Sequence, residues 1–372
     1  MTQTITTGDM KPPAGIIHID HITVSGPLDH AHLGEGFYKA INDNDTILVG
    51  ASALKPKRNQ NSDDVYVRSK EVQPNGRAYR FEIDCCPPKQ LQRHNVFGHG
   101  NMLDYSYAMF DQQTKKHNLY VDPGQREEWR TGQVGLTETH LTGNFWCPPS
   151  AKTPIFKAID QNNPKGKHRD IETCISLGHT GKRRSVHHGL LAYCKWTQLC
   201  DEWPKPGSIR QKLLELGYQS LRIEIRLFSQ WLKANDLGYV MRWKGVDVDA
   251  LFFKLLATYN ITNSIQGTVS EELLATLTPS QLRVYRLWLT GEDLKDYFCR
   301  TTVWKYCKEI FDKTDLDMRG ARRPEPEPLL NLADILVPNN LVAVPDWAIG
   351  SRYYWPPGTA FAKDGDLDDL VY

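Results

Sequence analysis

Apolar and polar residues alternate with a period of two over most of the first 240 positions, and with a period near 3.6 beyond them. The alternating stretches predict strands at Ile16–Ser25, Gln133–Phe145, Ile171–Leu177 and Leu221–Leu227. Val65–Val72 and Arg77–Cys85 flank Pro74-Asn75-Gly76 and predict a hairpin. Gly189–Trp196 is short, apolar and ends in an aromatic, which predicts a buried strand. Gly34–Asn42 reads as a short helix and Lys55–Asp64 as a loop. Prolines 87 and 88 stop a strand and lead into a tight loop carrying His94 and His99. Ser208 caps a helix that Gly217 stops, and Phe228–Asn235 starts another. Further on, helices are predicted at Asp247–Tyr259, Ser270–Leu277 and Pro279–Leu289, capped by Asp247, Ser270 and Thr278. Two shorter ones, Glu292–Phe298 and Thr302–Phe311, have the size of a helix-turn-helix, for which a plain helical hairpin is the commoner alternative.

The expected fold is therefore α+β: a mostly antiparallel central sheet with flanking helices, then a helical region. The boundaries fall at 1–15 (a flexible tail), 16–240 (the sheet-bearing part), 241–320 (the helices) and 321–372 (a proline-rich extended tail). Late aromatics, Trp347, Tyr353, Tyr354 and Trp355, are expected to pack that tail onto the body. The composition, 40% hydrophobic and 24% charged, is ordinary for a soluble globular protein. No apolar run approaches the ~20 residues of a membrane span, and the N-terminus lacks the order of a signal peptide. Eight scattered cysteines without a CxxC point to reduced thiols and a cytoplasmic setting. The net charge of +1 does not announce a nucleic-acid binder. Its distribution says more: between Ala151 and Leu190 stand eight Lys/Arg against three Asp/Glu, with His168, His179, His187 and His188 among them. A solvated loop rich in lysine is the competing reading.

Candidate chemistry follows from strand parity. On a strand through Gly189–Trp196, Tyr193 and Lys195 share one face. A phenol beside an ammonium, downstream of the basic Arg183-Arg184 and His187-His188, suits attack on a phosphodiester: the ammonium lowers the phenol pKa from about 10 and neutralises phosphate charge. An ordinary buried tyrosine is the alternative. Glu138 and His140 also share a strand face and can reach one divalent cation; the alternative is a polar, solvent-facing edge. Arg222, Glu224 and Arg226 line one face as either a salt-bridge ladder or a site wall. His18 and His21 fall on opposite faces of their strand, which argues against a shared metal. No GxGxxG, GxxxxGK[ST] or GxSxG occurs.

Several stretches together resemble one family. Residues 86–101, CPPKQLQRHNVFGHGN, are similar to the His-Asn-Val-Phe-Gly block of the gene II/gene X replication initiators of filamentous bacteriophages. Residues 187–199, HHGLLAYCKWTQL, resemble that family's active-tyrosine strand. Residues 220–238, SLRIEIRLFSQWLKANDLG, resemble its Arg-x-Glu strand and following helix. IIHIDHITVS, DYFCRTTVWKYCKEIF and VPDWA fit in order around them.

The resemblance implies a rolling-circle nuclease-like fold and an initiator that nicks the viral plus-strand origin of replicative-form DNA. Such an enzyme stays linked to the 5′ phosphate through a tyrosine and later joins the displaced strand into a circle. The active tyrosine falls on Tyr193, its lysine on Lys195 and the strand glutamate on Glu224. His140 stands where relatives carry aspartate. Mg²⁺ or Mn²⁺ on Glu138, His140 and Glu224 is the implied cofactor site. Arg183, Arg184, His187, His188, Arg222 and Arg226 are the expected DNA contacts, with origin reading by the helical region 241–320. Host helicase and DNA polymerase are the implied partners, and the host bacterial cytoplasm the location. A non-catalytic DNA-binding repressor and a plasmid rolling-circle initiator are the alternatives.

Overall fold

The computed structural model describes residues 15–33, 37–41, 47–51, 65–149, 151–152, 155–156, 159, 167–170, 174–178, 187–202, 208–259, 261, 274–290, 292–314, 318 and 332–362. An eight-stranded sheet organises them, in the order β4-β5-β1-β6-β10-β9-β8-β7. Its strands are β1 (His18–Ala31), β4 (Tyr66–Val72), β5 (Arg77–Cys85), β6 (Gly135–Trp146), β7 (Lys167–Asp170), β8 (Cys174–Leu177), β9 (His188–Tyr193) and β10 (Ser220–Phe228). Every pairing is antiparallel. With helices packed around the sheet, the α+β expectation is met.

The period-two alternation sorts the two faces of the sheet. Ile19, Ile22, Leu141, Phe145, Ile223, Ile225, Leu190 and Ala192 are buried in one apolar core. Phe145 meets Phe252 of the helix Val248–Thr258 at 6.2 Å between ring centroids. Asp247 caps that helix through the Ala250 N–H at 2.9 Å, as its sequence position predicts. The other face of the central strands carries the polar residues, so one face builds the core and the other is free for chemistry.

The β4–β5 hairpin turns at Pro74–Gly76, with Gly76 at φ +82°, the left-handed geometry that its Asn-Gly pair supplies. One local reading is corrected and another extended. The residues within Gly34–Asn42 that are described, Phe37–Ile41 (β2), form a strand, not a helix, and their backbone groups close an antiparallel ladder with Ile47–Ala51 (β3). Pro87 and Pro88 follow the end of β5 at Cys85, as expected of residues that stop a strand. They open the helix Pro87–Gln92 (α1), where a missing backbone N–H costs nothing.

The late aromatics do dock on the body. Trp355 donates its N–H to Gln92 Oε1 at 3.0 Å, and its ring stacks on His99 and Tyr105 at 5.6 and 5.8 Å. Asp104 accepts the Gly358 and Ala360 N–H groups at 2.6 and 3.2 Å. Residues 341–360 thus form a strap across the loop that follows α1. Among the later helices, Pro279–Thr290, Leu294–Tyr297 and Arg300–Thr314 share a small core of their own built on Val284, Tyr285, Cys307 and Ile310. Thr278 caps the first of them reciprocally with Gln281. Of the expected helix at Ser270–Leu277, residues 270–273 lie outside the described residues; Leu274 is helical, and the Leu277 N–H closes a turn on its carbonyl at 3.1 Å.

Candidate active site on the polar face of the sheet

Four adjacent strands, β1, β6, β10 and β9, bring the candidate residues together. Register places Tyr193 opposite Arg222, Arg222 opposite Asn144, Glu224 opposite Thr142, Arg226 opposite His140, and His140 opposite His21. Glu138 and His140 share a face as their spacing predicts. They lie on an interior strand with a neighbour on each side, which removes the reading of a solvent-facing edge.

The expectation for His18 and His21 is overturned by a β-bulge. Ile19 pairs with Leu141 and His21 with His140, so Asp20 is an extra residue on β1. An inserted residue resets the alternation, so His18 and His21, three positions apart across it, fall on the same face. His21 therefore stacks on His140 at 4.6 Å between ring centroids. Asp20 is carried into the same cluster and pairs with Arg222 at 2.9 Å. Asp20 and His21 are the functional candidates that periodicity missed, because register depends on the partner strand.

The phenol of Tyr193 donates to Glu224 Oε1 at 2.6 Å. Arg222 Nε lies 3.2 Å from that same oxygen, and Arg226 lies 3.0 Å from Oε2. Burial alone would raise the Glu224 pKa, yet Arg222 and then Arg226 outweigh it and hold the carboxyl at about 2. Burial is likewise the largest single influence on Asp20 and raises it, but Arg222, Lys195, His18 and His140 together outweigh it and keep the carboxyl well below the usual carboxylate range. Burial pushes the Tyr193 phenol well above 10, and Glu224 adds to this while Arg222 opposes it. Burial also lowers His140 to about 4, so its imidazole is neutral at physiological pH.

Two sequence expectations change here. Arg222 is fully buried between Asp20 and Glu224, so it is not a DNA-contacting arginine. Lys195 is not on the Tyr193 strand: β9 ends at Tyr193, and Lys195 opens the helix Lys195–Glu202 (α2). Its buried ammonium donates to Asn95 Oδ1 at 2.6 Å and to Gln198 Oε1 at 2.7 Å. The cation beside the phenol is instead Arg222, 5.7 Å from the Tyr193 ring centroid. Arg226 remains partly exposed and His187 exposed, while His188 Nδ1 pairs with the Tyr259 hydroxyl at 2.6 Å. Arg183 and Arg184 lie outside the described residues.

The three expected metal ligands do not form one group. Donor atoms converge as His21, Glu138 and His140 in one set, and as Asp20, His140 and Glu224 in another, with His140 common to both. The second set is already neutralised by Arg222 and Arg226 and holds the phenol. The first is more open and has Asp84 alongside, 3.1 Å from His21.

A sequence model for the N-terminal region of the phage replication-associated protein known as the gene II protein matches residues 19–246, more than half of the chain. The chain belongs to this family. The matched span covers the whole site just described. A relative from Enterobacteria phage I2-2, its replication-associated gene II protein, is 22% identical over 300 residues, covering 78% of this chain and 85% of its own length. No solved structure matches. The gene II-type resemblance read from the His-Asn-Val-Phe-Gly block is thus established at the level of family. Among the described residues no helix is long and apolar enough to cross a membrane.

Proposed function

We propose that the chain is a phage rolling-circle initiator that nicks the plus-strand origin of replicative-form DNA and rejoins the displaced strand, with Tyr193 as nucleophile. The observation that carries this reading is the phenol held on Glu224 between two arginines, in a chain of the gene II family. Tyr193 Oη attacks the scissile phosphorus, the bond to the 3′ oxygen breaks, and a 5′-phosphotyrosine forms. The phenolic proton passes to Glu224 Oε1, and the 3′ oxygen leaves as a hydroxyl after taking a proton from solvent. One phosphodiester is exchanged for another, so no nucleotide is consumed, in keeping with the absence of a P-loop motif in the sequence. Lys195, Arg222 and Arg226 outnumber Asp20 and Glu224, which leaves one positive charge on these five residues to meet the phosphate. Arg226 is the partly exposed member and the one placed to touch it.

His21, Glu138 and His140 are the residues that would hold a divalent ion, and when bound it supplies Lewis-acid polarisation of the phosphate. A set with two imidazoles suits Mn²⁺ better than Mg²⁺, which prefers oxygen donors. His21→Ala and His140→Ala are each expected to raise the Mn²⁺ concentration for half-maximal nicking by about tenfold or more, with partial recovery at excess Mn²⁺. A metal titration of nicking checks this; unchanged titrations in both variants would make the histidines structural. Exposed His187 and the basic residues before it would follow the DNA backbone, and the helices between 279 and 314 would read the origin, giving salt-sensitive binding. Host helicase and polymerase would then extend the nick.

The decisive experiment is covalent capture. The protein is incubated with supercoiled replicative-form DNA and Mn²⁺ or Mg²⁺, denatured, and the linked peptide mapped by mass. An adduct on the Tyr193 peptide is the expected result. Origin binding with neither adduct nor nicking would make the protein a regulator instead.

A further inference from the structure

We propose that Asn95 is a positioning residue for Tyr193, acting from the His-Asn-Val-Phe-Gly loop through Lys195 and Arg222. The inference rests on the reading of Tyr193 as nucleophile and gives that loop a mechanical task. Asn95 makes two contacts toward the site. Its side-chain Oδ1 accepts from Lys195 Nζ at 2.6 Å, and its backbone carbonyl accepts from Arg222 Nη1 at 2.6 Å.

Each contact leads to the phenol by a short path. Lys195 stands two residues after Tyr193, where the chain leaves β9 and enters α2. Its ammonium is fully buried, and a buried ammonium is held tightly to whatever oxygens accept its protons. Pinning Lys195 therefore fixes the direction in which the chain leaves the nucleophile. Arg222, on the other path, lies 5.7 Å from the Tyr193 ring and donates to the Glu224 oxygen that also receives the phenol.

Asn95 can act as a fixed point because its own loop is clamped on several sides. Gln92 Nε2 donates to the Phe97 carbonyl at 2.5 Å, and Asn144 Nδ2 donates to the Val96 carbonyl at 2.5 Å. The His94 ring bonds the Tyr353 carbonyl of the strap at 2.8 Å. Asn95 itself is buried, so its amide is not a solvent-facing contact for DNA.

The test compares single-turnover nicking with DNA affinity. Asn95→Ala removes the acceptor and is expected to slow nicking about 10²-fold with KM and DNA Kd unchanged, the effect of a nucleophile displaced by about 1 Å. Asn95→Gln keeps the amide but shifts it by one methylene; it carries the test if the alanine variant does not fold, and is expected to slow nicking about tenfold. Asn95→Asp restores an oxygen at the same place and is expected to recover most of the rate lost in Asn95→Ala. In a double-mutant cycle with Lys195→Met, the losses are expected to be strongly non-additive. Wild-type nicking by Asn95→Gln, or additive losses in the cycle, would overturn the proposal. Should the wild-type protein form no Tyr193 adduct, the nucleophile reading itself falls; an adduct on Tyr193 with an indifferent Asn95→Gln defeats the positioning role alone.

Discussion

Tyr193→Phe is expected to bind origin DNA as the wild type does and to lose nicking on the order of 10⁴-fold or more, with no covalent adduct. The substitution removes one oxygen from a half-buried ring. Its structural cost is confined to the hydrogen bond with Glu224, whose second oxygen and two arginine partners remain in place. Binding and fold are therefore spared while the atom proposed to carry the phosphate is gone. A gel assay for nicked circles together with a binding isotherm measures both quantities. Normal nicking by Tyr193→Phe would exclude this phenol as nucleophile, and weakened binding would show that the ring contacts DNA.

The environment of the phenol sets a further condition on the chemistry. Burial and the Glu224 carboxylate both resist formation of a phenolate, and the arginines, Arg222 foremost, favour it. The proton is best removed as the phosphorus is attacked, into the carboxylate that already accepts it. Glu224 has an unusually low affinity for protons because two guanidiniums hold its charge. It therefore serves as an acceptor that stays ionised at neutral pH, and its basicity rises if either arginine turns toward the incoming phosphate. Arg226, partly exposed and bonded to Glu224 Oε2, is the one free to do so.

Much of this arrangement is written in strand parity. The pairing of Glu138 with His140, and of Arg222 with Glu224 and Arg226, needs only the alternation of side chains within one strand. The fold class follows from the same alternation and its change of period near residue 240. What parity cannot supply is register between strands. The bulge at Asp20 depends on how β1 meets β6, and a single inserted residue moves His21 to the face of His18. The end of β9 at Tyr193 is set in the same way, because the buried Lys195 finds one of its acceptors on a loop 100 positions away in sequence, at Asn95. Arg222 looks like a DNA contact in a list of basic residues. Only packing reveals that a carboxylate stands on either side of it. The signal that was available is the His18-Ile19-Asp20-His21 run, in which three titratable residues within four positions cannot all alternate outward on one regular strand.

Arg222→Met is expected to be the most destabilising substitution in the site, by about 3–5 kcal/mol, since it leaves two buried carboxylates without their main counter-charge. The guanidinium is fully buried, pairs with Asp20 and Glu224 at 2.9 and 3.2 Å, and donates to the Asn95 carbonyl at 2.6 Å. Its replacement keeps bulk but no charge. The pH dependence separates this account from one of lost packing. In the wild type, Glu224 is held at about 2 and Asp20 also well down, so their contribution to stability is complete above the ordinary carboxylate range. It is lost as pH falls through that range toward about 2. Without Arg222 their folded-state affinity for protons rises, and stability then declines as pH increases instead. The penalty of Arg222→Met is thus expected to be greatest near pH 7 and to shrink below about pH 4, as protonation relieves the buried charges. Urea unfolding at a series of pH values reads this difference directly. A penalty that does not change with pH would mean that Arg222 stabilises by filling space. A variant of normal stability, with a salt dependence of DNA binding reduced by about one unit of slope, would return Arg222 to the phosphate backbone.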